Sequence, residues 1–208
     1  PNIILIYCDE LRTDALGCYG HERVTMQTPH IDTIAAAGTR FKNCFCNAPV
    51  CVPSRTAQIT GMYPEQTGVY HNEAYWPDFK LDRQLLTFPE HFAQHGYATA
   101  NFGKVHLPRE MSPWMLSNEQ GGSVGGVNRQ EFLEDFGEYD WIIDRNRPWI
   151  VLGGGLPAER DFAPNLIMQN ALRWLDQIEG PFLLRLSFLQ PHTPVLVPKP
   201  FDKLYDPA

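Results

Sequence analysis

Residues 2–10 read Asn2-Ile3-Ile4-Leu5-Ile6-Tyr7-Cys8-Asp9-Glu10, an apolar run that breaks off into two carboxylates. A run apolar on both faces is what a parallel strand covered by helices requires, and it leaves Asp9 and Glu10 at the strand's carboxyl end. The pattern recurs downstream. Thr28 as N-cap, Pro29 at the first helical position, apolar Ile31, Ile34 and Ala35, and Gly38 as terminator predict a helix. Thr87, Pro89 and Glu90 form a capping box for a short helix stopping at Gly96, and residues 97–102 follow as a strand ending in Gly103-Lys104. Asp161 caps an amphipathic helix that buries Leu166, Ile167, Leu172, Trp174, Leu175 and Ile178 and closes at Gly180-Pro181. Residues 182–189 are the next strand, ending at Pro191-His192. Such alternation predicts an α/β fold, a mainly parallel sheet flanked by helices, with ligands beyond the carboxyl ends of its strands. Asp9, Lys104 and His192 all fall at such ends.

Composition sets the outer bounds. The 208 residues are 43% hydrophobic and 20% charged, with a formal net charge of -7. That describes a globular chain able to bury a core, and it excludes disorder and collagen-like repeats. An acidic balance offers no footprint for a nucleic-acid backbone, so an anion would be held in a local pocket. No apolar stretch approaches the ~18 residues of a membrane span. The five cysteines, Cys8, Cys18, Cys44, Cys46 and Cys51, match neither a disulfide scaffold nor a zinc template, and Cys44 and Cys46 are read as packing on one strand face. No charged leader and cleavage site precede Pro1, which leaves the compartment open. Between Leu107 and Arg160 the alternation gives way to a glycine-rich run at 121–126 and an aromatic, acidic stretch holding Tyr139, Trp141 and Trp149. This segment is too long for a simple connection and reads as an insertion shaping a substrate pocket.

The densest chemical signal is Cys51-Val52-Pro53-Ser54-Arg55, followed by Thr60-Gly61. Pro53 fits the first turn of a helix, which puts Cys51 at its N-terminus, where free N–H groups and the dipole stabilise an anion. Arg55 adds a fixed positive charge. Either a thiolate or an anionic ligand would benefit, whereas a buried structural cysteine is the plainer alternative. Here the sequence resembles the sulfatases of the alkaline phosphatase superfamily, whose motif C-x-P-S-R is matched by Cys51, Pro53, Ser54 and Arg55. Four more segments match that family in order: Asp9-Glu10, Thr28-Pro29-His30-Ile31-Asp32 with Gly38 and Phe41, Phe102-Gly103-Lys104-Val105-His106, and Pro191-His192-Thr193-Pro194.

The resemblance implies an alkaline-phosphatase-like sulfatase fold over residues 1–208, an N-terminal catalytic portion with 107–160 as its insertion. It implies a sulfuric ester hydrolase acting on a small sulfated substrate, with Cys51 converted by the formylglycine-generating enzyme to formylglycine (3-oxoalanine), whose hydrate attacks sulfur. It implies Ca²⁺ or Mg²⁺ on Asp9, Glu10 and residue 51; hard carboxylates suit such ions, and exchanging sulfur for oxygen at 51 removes a soft ligand. Glu10 stands where many of these enzymes have aspartate, and strand alternation turns neighbours apart, so Asp9 is the firmer ligand. Lys104 and His106, two apart on an extended backbone, are implied to bind sulfate together. His192 is implied to contact substrate and protonate the leaving oxygen, and Arg55 to hold the modified residue.

Asp14 is read as a turn residue, and His21, His71, His91 and His95 as structural, although His71-Asn72 lies where it could face the pocket. The family's remaining metal ligands and second lysine are expected beyond residue 208, so the chain is expected to be inactive alone. Two alternatives share the fold: a phosphonate monoester hydrolase or phosphodiesterase, and a non-catalytic protein with unmodified Cys51. The alcohol carrying the sulfate is set by loops such as 107–160 and not by the motif residues.

Overall fold

The computed structural model describes residues 1–20, 26–76, 78–81, 84–119, 142–143, 145–146, 151–156, 163–193 and 195–205. Strands β1 (Ile3–Asp9), β2 (Ala98–Gly103), β3 (Leu116–Asn118) and β6 (Phe182–Pro191) form one sheet in the order β1-β6-β2-β3, with every pairing parallel. Between β1 and β2 run helices α1 (Pro29–Ala37), α2 (Cys51–Thr60), α3 (Pro64–Thr67) and α4 (Phe88–Gln94), and α5 (Ala163–Leu175) precedes β6. A smaller sheet joins β4 (Ile142–Ile143) antiparallel to β5 (Val151–Leu156), and β5 parallel to β7 (Val195–Pro198).

Strand alternation divides β6 between two cores. Leu184 and Leu186 face α5, packing with Ile167 and Ala171 of that helix and with Ala100 and Phe102 of β2. Leu183 faces the other way, into a cluster with Ile59 of α2, Leu107 and Trp114, edged by Phe88 and Phe92 of α4. On that same side the period-two register carries Arg185 and Ser187 inward.

Several local expectations are met and several corrected. Thr28, Pro29 and Gly38 bound α1 as N-cap, first-turn proline and C-cap, but the helix buries no residue, and Ile34 is 65% exposed. The Thr87 capping box opens α4, with Thr87 Oγ1 and Glu90 Oε2 each accepting from the other residue's backbone N–H. Strand β1 is not covered on both faces: it is an edge strand paired only with β6 among the described residues, and Ile4 and Ile6 are 55% and 56% exposed. Residues 41–46 form no strand, and Cys44 and Cys46 are exposed thiols, so the packing role expected of them is absent. All five cysteines are free. Helix α5 buries Ile167 against β2 and β6 but leaves Leu172 exposed. Leu116–Asn118, inside the segment read as an insertion, adds a strand to the main sheet. His21, residues 121–126, Tyr139, Trp141, Trp149, Asp161 and Pro194 lie outside the described residues. No described helix is long and apolar enough to cross a membrane.

Candidate functional site

The carboxyl ends of β1, β2 and β6 meet the N-terminus of α2, and five of the expected site residues converge there. Lys104 Nζ donates to Asp9 Oδ2 and lies 3.9 Å from Cys51 Sγ. Arg55 Nη2 is 3.5 Å from the same Asp9 oxygen. Asp9, Cys51 and His192 each bring a ligand atom within 4.8 Å of the others.

Each position has a local cause. Cys51 is the first residue of α2; its N-cap, Val50, is extended and contributes no side-chain cap. The missing cap comes from a distance: Asn72 Oδ1 accepts the Val52 N–H at 3.0 Å. Pro53 follows in the first turn, where its lack of an N–H costs nothing. Arg55 therefore points inward one turn later, its guanidinium 4.7 Å over the Tyr7 ring, with Nη1 donating to Lys104 O at 3.0 Å and Ser187 Oγ at 2.9 Å. Gly103 ends β2 at φ +92°, and a Cβ there would collide with the Ser187 carbonyl and lie 2.9 Å from Ile167 Cδ1. Only glycine lets β2 approach β6 this closely while turning Lys104 toward Asp9.

The extended backbone expected for Lys104 and His106 is not found. After Gly103 the strand has ended, and His106 sits at φ 47°, so the two side chains are brought near each other by a turn and not by strand alternation. The His106 ring packs edge-on against Tyr75, with centroids 4.9 Å apart. Burial, with the charges of Lys104 and Arg55, lowers its pKa to about 4, so the imidazole is neutral at pH 7. His192 Nδ1 lies 2.5 Å from the Thr193 carbonyl. A carbonyl can only accept, so Nδ1 carries the proton and Nε2 is the atom free to take one up. Glu10, at φ 60°, turns outward: its Oε1 is 3.5 Å from His192 Nε2, and it stays out of the Asp9, Cys51 and His192 cluster. Asp14 pairs with exposed Arg12, His71 pairs with Glu73, and His91 and His95 stack on the surface.

Electrostatics distinguishes this corner from an ordinary core. Among the described residues Arg55, Lys104 and Arg185 are fully buried, and Asp9 is the one buried carboxylate. Burial, followed by the charge of Arg55, pulls the Arg185 pKa down to about 9, which still leaves it protonated at neutrality. Two positive charges are thus in excess in a place where each unpaired ion costs several kcal/mol. Arg55 Nε and Arg185 Nη1 also lack hydrogen-bond partners among the described residues. An anion beside Cys51 would offset the excess charge.

The donor set fits a hard, oxygen-seeking cation poorly. One carboxylate, one thiol and one imidazole form a mixed set closer to zinc's preferences, whereas Ca²⁺ takes about six to eight oxygens. Asp9 is already engaged by two cations and Glu10 is turned away, so the described residues do not make a Ca²⁺ or Mg²⁺ site by themselves.

Sequence reasoning did not single out Asn101, Tyr75, Ser187 or Arg185. Arg185 carried a signal: a charge inside Leu183-Leu184-Arg185-Leu186, a strand otherwise apolar on both faces, demands a buried partner.

Residues 1–207 match the family model described as Sulfatase. The iduronate 2-sulfatase of Mus musculus is 31% identical over 98% of this chain, which covers 37% of that protein. The ulvan-active sulfatase of Formosa agariphila is 30% identical over 100% of the chain, which covers 39% of it. The phosphonate monoester hydrolase of Agrobacterium radiobacter superposes with a TM-score of 0.72 at 23% identity, covering 100% of this chain and 44% of that one, a likeness of fold alone. The chain thus spans under half the length of each of these three proteins. The mainly parallel sheet with flanking helices is that of the alkaline-phosphatase-like sulfatases.

Proposed function

The chain belongs to the sulfatase family, and on that footing we propose that it supplies the nucleophile side of a centre that hydrolyses sulfate monoesters. The observation that carries this reading is the excess of buried positive charge around Cys51: Lys104 and Arg55 both reach Asp9 at the N-terminus of α2. A sulfate ester is a monoanion whose cleavage spreads further negative charge over oxygen, and preorganised cations in a dry site are what stabilises it. Residue 51, once converted to formylglycine, would supply a geminal diol as nucleophile where the thiol now lies 3.9 Å from Lys104 Nζ.

The chain's own residues divide the remaining work. Lys104 neutralises the anion and holds the oxygen at position 51. Arg55, fixed at both Lys104 O and Ser187 Oγ, keeps the first turn of α2 in register with the two strand ends. Neutral His106 is a hydrogen-bonding group for a sulfate oxygen and not a third cation. His192, with its Nδ1 proton held by the Thr193 carbonyl, presents Nε2 as the atom that would carry the proton to the leaving alcohol, and Glu10 Oε1 lies 3.5 Å from that nitrogen. Asp9 would give one oxygen to a Ca²⁺ or Mg²⁺ ion whose other ligands lie outside the described residues; no step above depends on it. Maturation by a formylglycine-generating enzyme and a small sulfated substrate complete the proposal, with 107–160 shaping the pocket for the alcohol.

The test is the mass of tryptic peptide 43–55 from protein purified from its native host, read beside turnover of 4-nitrophenyl sulfate and of a phosphate diester under matched conditions. Formylglycine at position 51 with preference for the sulfate is the expected result. Preference for the diester would give the site to phosphorus chemistry, and an unmodified thiol throughout would leave a binding protein.

A further inference from the structure

Where β2 stops, its backbone carbonyls lose the strand ladder, yet they stay buried, and a buried carbonyl without a donor is costly. Three successive carbonyls are held instead by side chains from inside the sheet. Asn101 Nδ2 donates to Gly103 O at 3.0 Å. Arg185 Nη2 donates to Lys104 O at 2.9 Å and reaches Val105 O at 3.5 Å, and Arg55 Nη1 shares the Lys104 oxygen at 3.0 Å. Arg185 and Asn101 are themselves tied, Nε to Oδ1 at 2.8 Å, and the Arg185 guanidinium lies 5.5 Å over the Trp114 ring. Both residues are 0% exposed, and among the described residues no carboxylate pairs with Arg185 within 4 Å.

A buried arginine in a central strand, with its Nη2 committed to the carbonyls that follow β2, needs an explanation beyond packing, since an apolar side chain of the same volume would cost less. The turn it grips runs through Lys104 to His106 at φ 47°, a conformation non-glycine residues keep only when their surroundings impose it. We propose that Arg185, braced by Asn101, is a positioning residue that fixes this turn and so places the Lys104 ammonium and the His106 ring for the substrate anion. The inference rests on the sulfatase reading for the identity of that anion, and on the hydrogen bonds alone for the clamp.

The experiment compares R185M, R185K and N101A with the wild-type protein by hydrogen exchange and by 4-nitrophenyl sulfate kinetics. In R185M, amides 104–107 exchange at least about tenfold faster while those of β1 and β6 keep their protection. Turnover efficiency falls about 100-fold, the loss expected of a binding group displaced by roughly 1 Å, and R185K, which can still reach the Lys104 carbonyl, recovers about tenfold of it. Unchanged exchange at 104–107, or a rise shared equally by β1 and β6, overturns the inference, because the residue would then be inert or a general core element. Should R185M not fold, N101A decides: it leaves the charge in place, removes the Gly103 donor, and must loosen the same amides. If R185M shows the exchange response while wild-type protein purified from its native host turns over no sulfate ester, the sulfatase reading is refuted and the clamp stands.

Discussion

Strands β6 and β1 lie side by side in register, Ile3 against Leu183 through Cys8 against Phe188, and as sequences they look alike. Their surroundings do not. Residues 183–187 of β6 are buried without exception, since β6 has a neighbour on each side, whereas β1 closes the sheet and turns Ile4 and Ile6 to solvent. An apolar run therefore announces a strand of a parallel sheet without announcing where in the sheet it sits. What holds the two strands to a common purpose is their carboxyl ends: Asp9 at the end of β1 is buried while the strand behind it is half bare, anchored by Lys104 and Arg55 instead of by packing.

The sharpest way to break this comparison is to remove that anchor. D9N leaves Lys104 and Arg55 buried without a counter-charge, and the expected loss is about 3–5 kcal/mol in urea unfolding, the usual cost of leaving half of a buried ion pair behind. A loss below about 1 kcal/mol would mean that packing holds the end of β1 after all. In β6 the corresponding weight rests on apolar contact. L184A takes a side chain from between α5 and β2, and about 3 kcal/mol should go with it, depending on how far Ile167 and Phe102 collapse into the space.

These contrasts mark how much was legible beforehand. The alternation of strands and helices, the caps of α1 and α4 and the convergence of Asp9, Cys51, Arg55, Lys104 and His192 follow from local pattern and motif, because caps and strand ends are properties of a few adjacent residues. Strand order is not local, so the edge position of β1 and the bare face of α1 were invisible. Nor is a turn's shape: His106 was expected beside Lys104 by alternation, and it arrives there through a positive φ imposed by Gly103, Arg185 and Asn101, none of them adjacent to it. Glu10 was expected to turn from Asp9 by alternation; it does turn away, but beyond the end of β1 and through a positive φ that sets its carboxylate 3.5 Å from His192.

Acid should sharpen the contrast between the buried end and the bare face. The unfolded chain takes a proton on His106 near its ordinary pKa of 6.5, while the folded protein resists until about 4. Across that window the unfolded state binds more protons, so stability rises with pH from about 4 to 6.5, and above it the residue contributes no slope. Urea midpoints at pH 4.5 and 7 should differ more for the wild type than for H106Q. Equal differences would show that the ring is not held neutral by its burial and by Lys104 and Arg55.

The smallest effect belongs to the outward face of β1, and it is the one that tests the comparison most directly. Ile6 is more than half exposed, so I6T removes little apolar area from contact with protein and keeps a β-branched side chain suited to a strand. The change should fall within about 0.5 kcal/mol, the range of surface substitutions. Leu184 and Ile6 would then differ severalfold in cost although each sits in the middle of an apolar run, and the difference would be the weight of neighbours on one strand against their absence on the other. A loss for I6T approaching that of L184A would show that the face of β1 is covered in solution, and the exposed edge would have to be redrawn as an interior strand.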